Sequence, residues 1–301
     1  MLKYISPPLK TLVIAEKNIF SFISNKDSNI DDVTVKSFGE EWDRFNDFSD
    51  IEIEKIGNEY FDIVTEKHLN KNSYVLDVGC GSGRWSKFVS KKVHFVEAID
   101  PSSAVANAVR MNINCENVRV TQASVDHIPF ENDSFDFVFS LGVLHHIPDT
   151  QSAMASCIQK LKPGGYFLVY LYYNFDNKSV AFKFIFKIIN LIRLFISHLP
   201  SKMKIVLCDA LAVLIYFPMA RLSKLIKIIS KKKKYYQFIP LHYYHDKSFY
   251  IMRNDSLDRF GTPLEQRFTK SEILKMMNNT GLTDVEFSSN PPFWHAIGKK
   301  A

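Results

Sequence analysis

Two aspartates and three glycines in this chain are spaced to hold a small charged ligand. The stretch Asp77-Val78-Gly79-Cys80-Gly81-Ser82-Gly83 follows the apolar run Tyr74-Val75-Leu76, and a second apolar run from Val93 to Ile99 ends at Asp100. The pattern predicts a buried strand entering a glycine turn, with a helix over 84–90. Gly79 and Gly81 let the backbone approach a ligand, and a helix start adds unpaired N–H groups and positive dipole. A dinucleotide fingerprint would need a third glycine at position 84, where Arg84 stands. Asp77 would also repel a pyrophosphate and suits a cationic or zwitterionic ligand. Asp100, about twenty residues beyond the glycines, can accept hydrogen bonds from ribose hydroxyls. Two carboxylates without a phosphate-binding lysine select a nucleoside that carries no phosphate.

S-adenosylmethionine meets that description, and four ordered motifs lead to a family. D-V-G-C-G-S-G-R, A-I-D-P-S, S-F-D-F-V-F-S-L-G-V-L-H-H-I-P-D and L-K-P-G-G closely resemble class I S-adenosylmethionine-dependent methyltransferases over roughly 70–173, resuming at 268–299. The resemblance implies a doubly wound, mostly parallel seven-stranded sheet with the last strand antiparallel. It implies S-adenosyl-L-methionine as cofactor, with Gly79, Cys80 and Gly81 lining its methionine part and Asp77 orienting that end. It places Asp100 and Pro101 at the ribose, Ser124 and Val125 beside adenine, and the Leu141 carbonyl at the cofactor ammonium. Family members often carry Asp where Ser124 stands, which leaves the adenine contact to the backbone of Val125. His145 and His146 fall where an acceptor approaches the methyl group. One of them could act as general base, since imidazole titrates near neutral pH; the alternative is that they orient the loop. Tyr172, Tyr173, His242, Tyr243, Tyr244, His245 and Tyr250 are further pocket candidates.

Positioning these residues requires alternating strands and helices. Strands are expected at 74–78, 94–99, 118–123, 135–140, 165–172, 283–288 and 293–299, with helices at 84–90, 102–112 and 150–161. Thr269 and Glu272 form a capping-box pattern for a helix running to Asn279. Ligands of such sheets bind at the carboxyl ends of the strands. Residues 1–70 read as a mostly helical segment covering the cofactor site, in which Trp42 and Phe45 either line the pocket or dock the segment. The core then comprises 71–173 and 268–301, and 174–267 is a largely helical cap inserted after the fifth strand.

That insertion is the basic part of the chain. Between Asn174 and Phe268 there are 17 Lys/Arg against 6 Asp/Glu, whereas the remainder is net negative and the whole chain is +6. Helix 180–199 shows a narrow polar stripe of Lys183, Lys187, Asn190, Arg193 and Ser197, and the apolar run 203–217 is too short to span a bilayer. The pattern fits a soluble lid with its apolar faces turned inward. Peripheral membrane contact through 180–234, which includes the lysines at 231–234, is the competing reading.

Hydrophobic residues make up 46% of the 301 positions, enough for a packed core. The four cysteines are scattered and form no C-x-x-C pair, so neither a metal nor a disulfide framework is expected. The N-terminus lacks a basic region followed by a cleavage site, which gives a cytoplasmic expectation. Ser140-Leu141-Gly142-Val143 stands where relatives that methylate nucleic-acid amino groups carry [DNS]-P-P-[YFW], so no nucleic-acid partner is expected. The reading is therefore methyl transfer to a small molecule, with amphiphilic and lipid-linked acceptors among the candidates. A non-catalytic partner of the same fold and a nucleic-acid methyltransferase using the basic cap are the alternatives. The oligomeric state is not legible.

Overall fold

The computed structural model describes residues 1–24, 27–175, 179–230 and 235–301. The chain divides into two compact units, Met1–Asn177 with Leu264–Ala301, and Lys178–Pro263. The expected insertion, 174–267, is a few residues wider than the second unit. Asn174 N donates to Phe268 O (3.0 Å) and Phe268 N to Tyr172 O (2.8 Å), which ties both ends of the insertion to the sheet.

The first unit is a nine-stranded sheet in the order β1-β2-β5-β4-β3-β6-β7-β9-β8. Its strands are β1 Lys10–Ile14, β2 Lys17–Ser21, β3 Tyr74–Val78, β4 Phe95–Asp100, β5 Val118–Gln122, β6 Phe135–Leu141, β7 Leu161–Tyr170, β8 Leu282–Phe287 and β9 His295–Lys300. The seven from β5 to β8 are the expected ones. β3 to β7 pair in parallel, and β9 runs antiparallel between β7 and β8. Helices α3 Arg84–Ser90, α4 Val105–Met111 and α5 Thr150–Gln159 cross between strands. The central strands are buried on both faces: Phe135, Phe137, Val138 and Phe139 are wholly inaccessible, as in parallel sheets generally.

Two additions, strands β1 and β2, extend the expected sheet and qualify the mostly helical reading of the N-terminal segment. β1 and β2 form a hairpin whose two turn residues, Ala15 and Glu16, both have positive φ (48° and 63°). Such turns normally announce themselves with Asn-Gly or Asp-Gly, and Ala-Glu gives no such sign. β2 continues the sheet beside β5 through Ser21 and Gln122. The helices α1 Asp32–Arg44 and α2 Asp50–Tyr60 follow, capped by the Asp31 carboxylate and by a Ser49/Glu52 capping box. β7 begins four residues before its expected start. The Lys162–Gly165 stretch bulges out of register between the Phe135–Leu161 and Phe137–Tyr166 pairs. The capping box of Thr269 and Glu272 opens α10 Lys270–Asn279 as expected.

The second unit is helical. α6 Val180–Ser197 is followed by a helix running from Ser201 to Ile229. This long helix comprises α7 Ser201–Leu211, a π-helical turn Ala212–Tyr216 and α8 Phe217–Ile229. Pro218 lacks an N–H for the ladder, and the π turn just before it absorbs the mismatch. At 29 residues, roughly 43 Å at 1.5 Å per residue, this helix is long and apolar enough by length and composition to cross a membrane. The run 203–217 alone is too short; its continuation through Arg221, Lys224 and Lys227 was not visible as one helix. α9 Phe249–Gly261 completes the unit.

The polarity of the second unit reverses the inward-facing lid. Arg193 and Ser197 from the polar stripe of α6 are buried, and Arg193 Nη1 donates to Thr262 O at 2.8 Å. Lys204, Cys208, Ala212, Tyr216, Ala220 and Ser223 form the buried stripe of the long helix, and Lys204 Nζ donates to Gly261 O at 3.0 Å. Most of the large aliphatic and aromatic side chains of both helices are exposed instead, with Ile196 and Tyr216 among the buried exceptions. The lysines at 231–234 lie outside the described residues.

Candidate cofactor and acceptor site

A single cavity of about 920 Å³, measured to its open mouth, lies at the carboxyl ends of β3, β4 and β6. Gly79, Cys80, Gly81, Asp100, Pro101, Ser124, Val125, Leu141 and His146 all line it.

The glycine turn is held from below and shaped from above. Gly79 N and Cys80 N both donate to Ile99 O, at 2.8 and 2.9 Å, which pins the turn after β3 to the end of β4. Gly79 and Gly81 have φ of +79° and +51°. A Cβ on Gly79 would stand 2.4 Å from the Val143 methyls, and one on Gly81 would stand 2.8 Å from Trp42 Nε1. Conformation and space therefore both demand glycine at these two positions. Ser82 Oγ is buried at the lining with no hydrogen-bond partner among the described residues. An unsatisfied hydroxyl in a cavity is a place for a polar ligand atom.

The two aspartates have different surroundings. Asp100 Oδ2 accepts from Gly81 N (2.9 Å), and Oδ1 accepts from Ser102 N (2.9 Å) and Ser102 Oγ (2.6 Å). A carboxylate has about four lone-pair sites, so one remains for a ligand hydroxyl. Burial raises its pKa, against the pull of the Ser102 and Gly81 hydrogen bonds. Asp77 lies under the turn and outside the cavity lining, with Oδ2 accepting from Ser86 Oγ at 2.6 Å. Burial pushes its pKa up to about 7, the Ser86 bond lowers it, and the Asp100 charge raises it further. A cation near this pair would restore the ionised form.

The histidines separate into two roles. His145 is fully buried and outside the lining, its ring stacked on Tyr172 at 3.8 Å. Burial, with His146 and Arg267 nearby, holds its pKa well below the usual value. That placement does not offer His145 to an acceptor as a base. His146 does line the cavity, and its Nδ1 lies 2.6 Å from Leu264 O. A carbonyl only accepts, so Nδ1 carries the proton and Nε2 is the basic nitrogen of the neutral ring. Phe38 packs edge-on against this ring at 4.8 Å.

The N-terminal segment supplies the remaining wall: Asn29, Ile30, Asp31, Thr34, Val35, Phe38 and Trp42. Trp42 lines the cavity, whereas Phe45 is buried and docks the segment, so the two alternatives for these aromatics are divided between them. Asn29 was not anticipated. Its Nδ2 donates to Asp149 O (2.9 Å), its Oδ1 accepts from Asp149 N (2.7 Å), and its own N donates to Asp126 Oδ2 (2.7 Å). Asp27 pairs with His127 and accepts from Ser124 Oγ at 2.8 Å. These bonds fasten residues 27–29 to the loops after β5 and β6. They involve partners about a hundred positions away, which no local pattern reveals. Among the other candidates, Tyr173 packs on Phe293 and Trp294 away from the lining. His242, Tyr243, Tyr244, His245 and Tyr250 belong to the second unit, where Tyr244 donates to Asp255 Oδ2 at 2.8 Å.

Comparison with known proteins points to the central strands of the sheet. The Methyltransferase domain family matches residues 76–169, from the middle of β3 almost to the end of β7. Ubiquinone biosynthesis O-methyltransferase of Hydrogenovibrio crunogenus is 26% identical over 56% of this chain and 72% of its own length. Demethylmenaquinone methyltransferase of Staphylococcus aureus is 29% identical over 43% of this chain and 55% of its own, so the likeness spans about half of that protein. A solved S-adenosylmethionine-dependent methyltransferase from Aquifex aeolicus overlaps 84% of this chain and 98% of its own, at 14% identity and a TM-score of 0.45, too loosely to add to the topology itself. The strand order, the glycine turn and the matched domain agree with a class I S-adenosylmethionine-dependent methyltransferase.

Proposed function

We propose that this protein transfers a methyl group from S-adenosylmethionine to a small-molecule acceptor of amphiphilic or lipid-linked character, with a quinone-type ring as the leading candidate. One observation carries the reading: a single cavity gathers the glycine turn, Asp100, Ser124-Val125, Leu141 and His146. The names of the two relatives, both from quinone metabolism, support the acceptor class.

The cofactor, when bound, supplies a methyl group already activated on a sulfonium. The residues present fit it: the Gly79–Gly81 backbone gives a close floor, Asp100 keeps one lone pair for a ribose hydroxyl, and Ser82 Oγ needs a partner. Asp77 and Asp100 provide the negative potential that a cationic ligand requires. Trp42 and Phe38 wall the cavity and help exclude water. His146 Nε2 accepts the proton of a hydroxyl acceptor, while the Leu264 carbonyl fixes the ring's tautomer and orientation.

The test combines calorimetry with S-adenosylmethionine and methyl-transfer assays on hydroxylated quinone precursors and demethylated quinones. His146→Asn should leave cofactor affinity within about twofold and lower kcat by about 10²–10⁴, the usual worth of a general base. A chain that fails to bind the cofactor would overturn the activity. A variant with unchanged kcat would remove only the base.

A further inference from the structure

The second unit buries Arg193 and Lys204 beside a small apolar core that includes Ile251, Met252 and Leu257, yet leaves a large apolar surface outside. Among the described residues 31 large hydrophobic side chains are exposed, and 23 of these lie between Val180 and Phe238. On α6, Phe184, Ile188, Leu191 and Phe195 form one stripe at helical spacing, 65%, 48%, 67% and 68% exposed. On the long helix, Val206, Leu214, Leu225 and Ile228 are between half and three-quarters exposed, and only 22% of its most apolar stretch is buried. Meanwhile Arg193 and Lys204 are buried and satisfied by the carbonyls of Thr262 and Gly261. In water the stable arrangement is the opposite one.

Charge narrows what can cover this surface. Residues 178–263 hold 16 Lys/Arg against 4 Asp/Glu. Lys183, Lys187, Lys202, Lys224 and Lys227 are exposed among the apolar side chains. A second copy would bring a surface of the same strongly positive sign against the first. A nucleic acid would answer the charge but leave the aliphatic side chains in water. An anionic bilayer satisfies both, since acyl chains accept the Leu, Ile and Phe side chains while headgroups meet the lysines.

We propose that the second unit docks on an anionic membrane surface through the exposed faces of α6 and the helix Ser201–Ile229. The inference rests on exposure and charge and is independent of which acceptor is methylated. It also places the protein where an amphiphilic acceptor is concentrated.

The experiment is co-sedimentation of the full chain with phosphatidylcholine vesicles, with and without phosphatidylglycerol, across a salt series. Binding should rise by about tenfold or more with phosphatidylglycerol and fall with salt. The combined variant Phe184→Ser, Ile188→Ser, Leu191→Ser and Phe195→Ser should bind at least about tenfold more weakly, with an unchanged melting temperature and unchanged cofactor affinity. Failure of the wild type to pellet with anionic vesicles overturns the proposal. So does equal binding by the variant, or a concentration-dependent dimer in ultracentrifugation that removes vesicle binding. Resistance to carbonate extraction from the vesicles would replace docking by a spanning helix and overturn it as well.

Discussion

The β3–β4 site and the long helix Ser201–Ile229 treat space in opposite ways. At the glycine turn no room is left for a Cβ: the Val143 methyls occupy the volume one at Gly79 would need, and Trp42 occupies that at Gly81. Three of the four lone-pair sites of Asp100 are used, two by Ser102 of its own loop and one by Gly81 of the glycine turn. Along the helix, Leu214 and Ile228 are each 73% exposed while Lys204 is 7%. Hydrophobicity near the site describes what the chain packs against itself. Hydrophobicity along the helix is left facing outward by the chain itself. Single-residue changes should therefore be costly at the site and nearly free on the exposed helix face.

The largest expected effect concerns Asp77. Its pKa in the fold is raised from 3.8 to about 7, mainly by burial. The folded state therefore holds a proton that the unfolded state has lost, and stability falls as pH rises from about 4 to about 7, then levels off. Roughly three units at about 1.4 kcal/mol each set a ceiling of about 4 kcal/mol. Asp100, shifted in the same direction, adds to the slope. Asp77→Asn keeps an oxygen for Ser86 and removes this charge, so the ligand-free variant should melt higher than wild type at pH 8 and match it near pH 4. Parallel melting curves for the two across that range would show that Asp77 is ionised without penalty.

Gly79→Val should cost about 3 kcal/mol in stability. Positive φ is worth roughly 1–2 kcal/mol for a residue with a Cβ, and overpacking against Val143 adds about 1–3 kcal/mol. Cofactor affinity should fall beyond detection, read by calorimetry and thermal melting. Retention of affinity would mean that the loop is far softer than its packing implies. Asp100→Ala follows, with a loss of about 2 kcal/mol in stability as Gly81 N and the Ser102 groups lose their acceptor. Its cofactor affinity should also fall, and the melting shift distinguishes it from a residue that touches ligand alone. An unchanged melting temperature would show that the loop keeps its shape without this carboxylate.

What could be read in advance follows the same division. Glycine turns, capping boxes and two-sided apolar strands are local patterns whose physics is complete within a few residues. The β3 turn, the Thr269/Glu272 cap and seven of the nine strands were legible for that reason. The hairpin 10–21 escaped because Ala15-Glu16 adopts positive φ without the usual turn residues. Asp77 and Asp100 were recognisable as a pair, but only the structure shows that one lies beneath the cavity and the other spends most of its bonding on its own loop. Likewise His145 and His146 are adjacent in sequence, and a carbonyl at Leu264 decides which of them faces the cavity with a defined tautomer. The amphipathicity of α6 was visible, but its direction was not. A helical stripe has the same period whether its apolar side meets protein or something else.

The smallest effect is the sharpest test of the comparison. Leu214, on the π-helical turn, is exposed, while its neighbours Ala212 and Tyr216 are buried. Leu214→Ser removes apolar area that is already in water, so thermal or denaturant unfolding should change by no more than about 0.5 kcal/mol, as for ordinary surface positions. Ala220→Leu, one turn beyond Tyr216 on the fully buried side, should cost about 1–3 kcal/mol through overpacking. The ratio of the two losses measures how one-sided the helix is when the chain is alone in water. Equal losses would mean that the Leu214 face is covered in solution, and the contrast between the site and the helix would fail. A near-zero loss for Leu214→Ser accompanied by weaker binding to anionic vesicles would assign that face its partner.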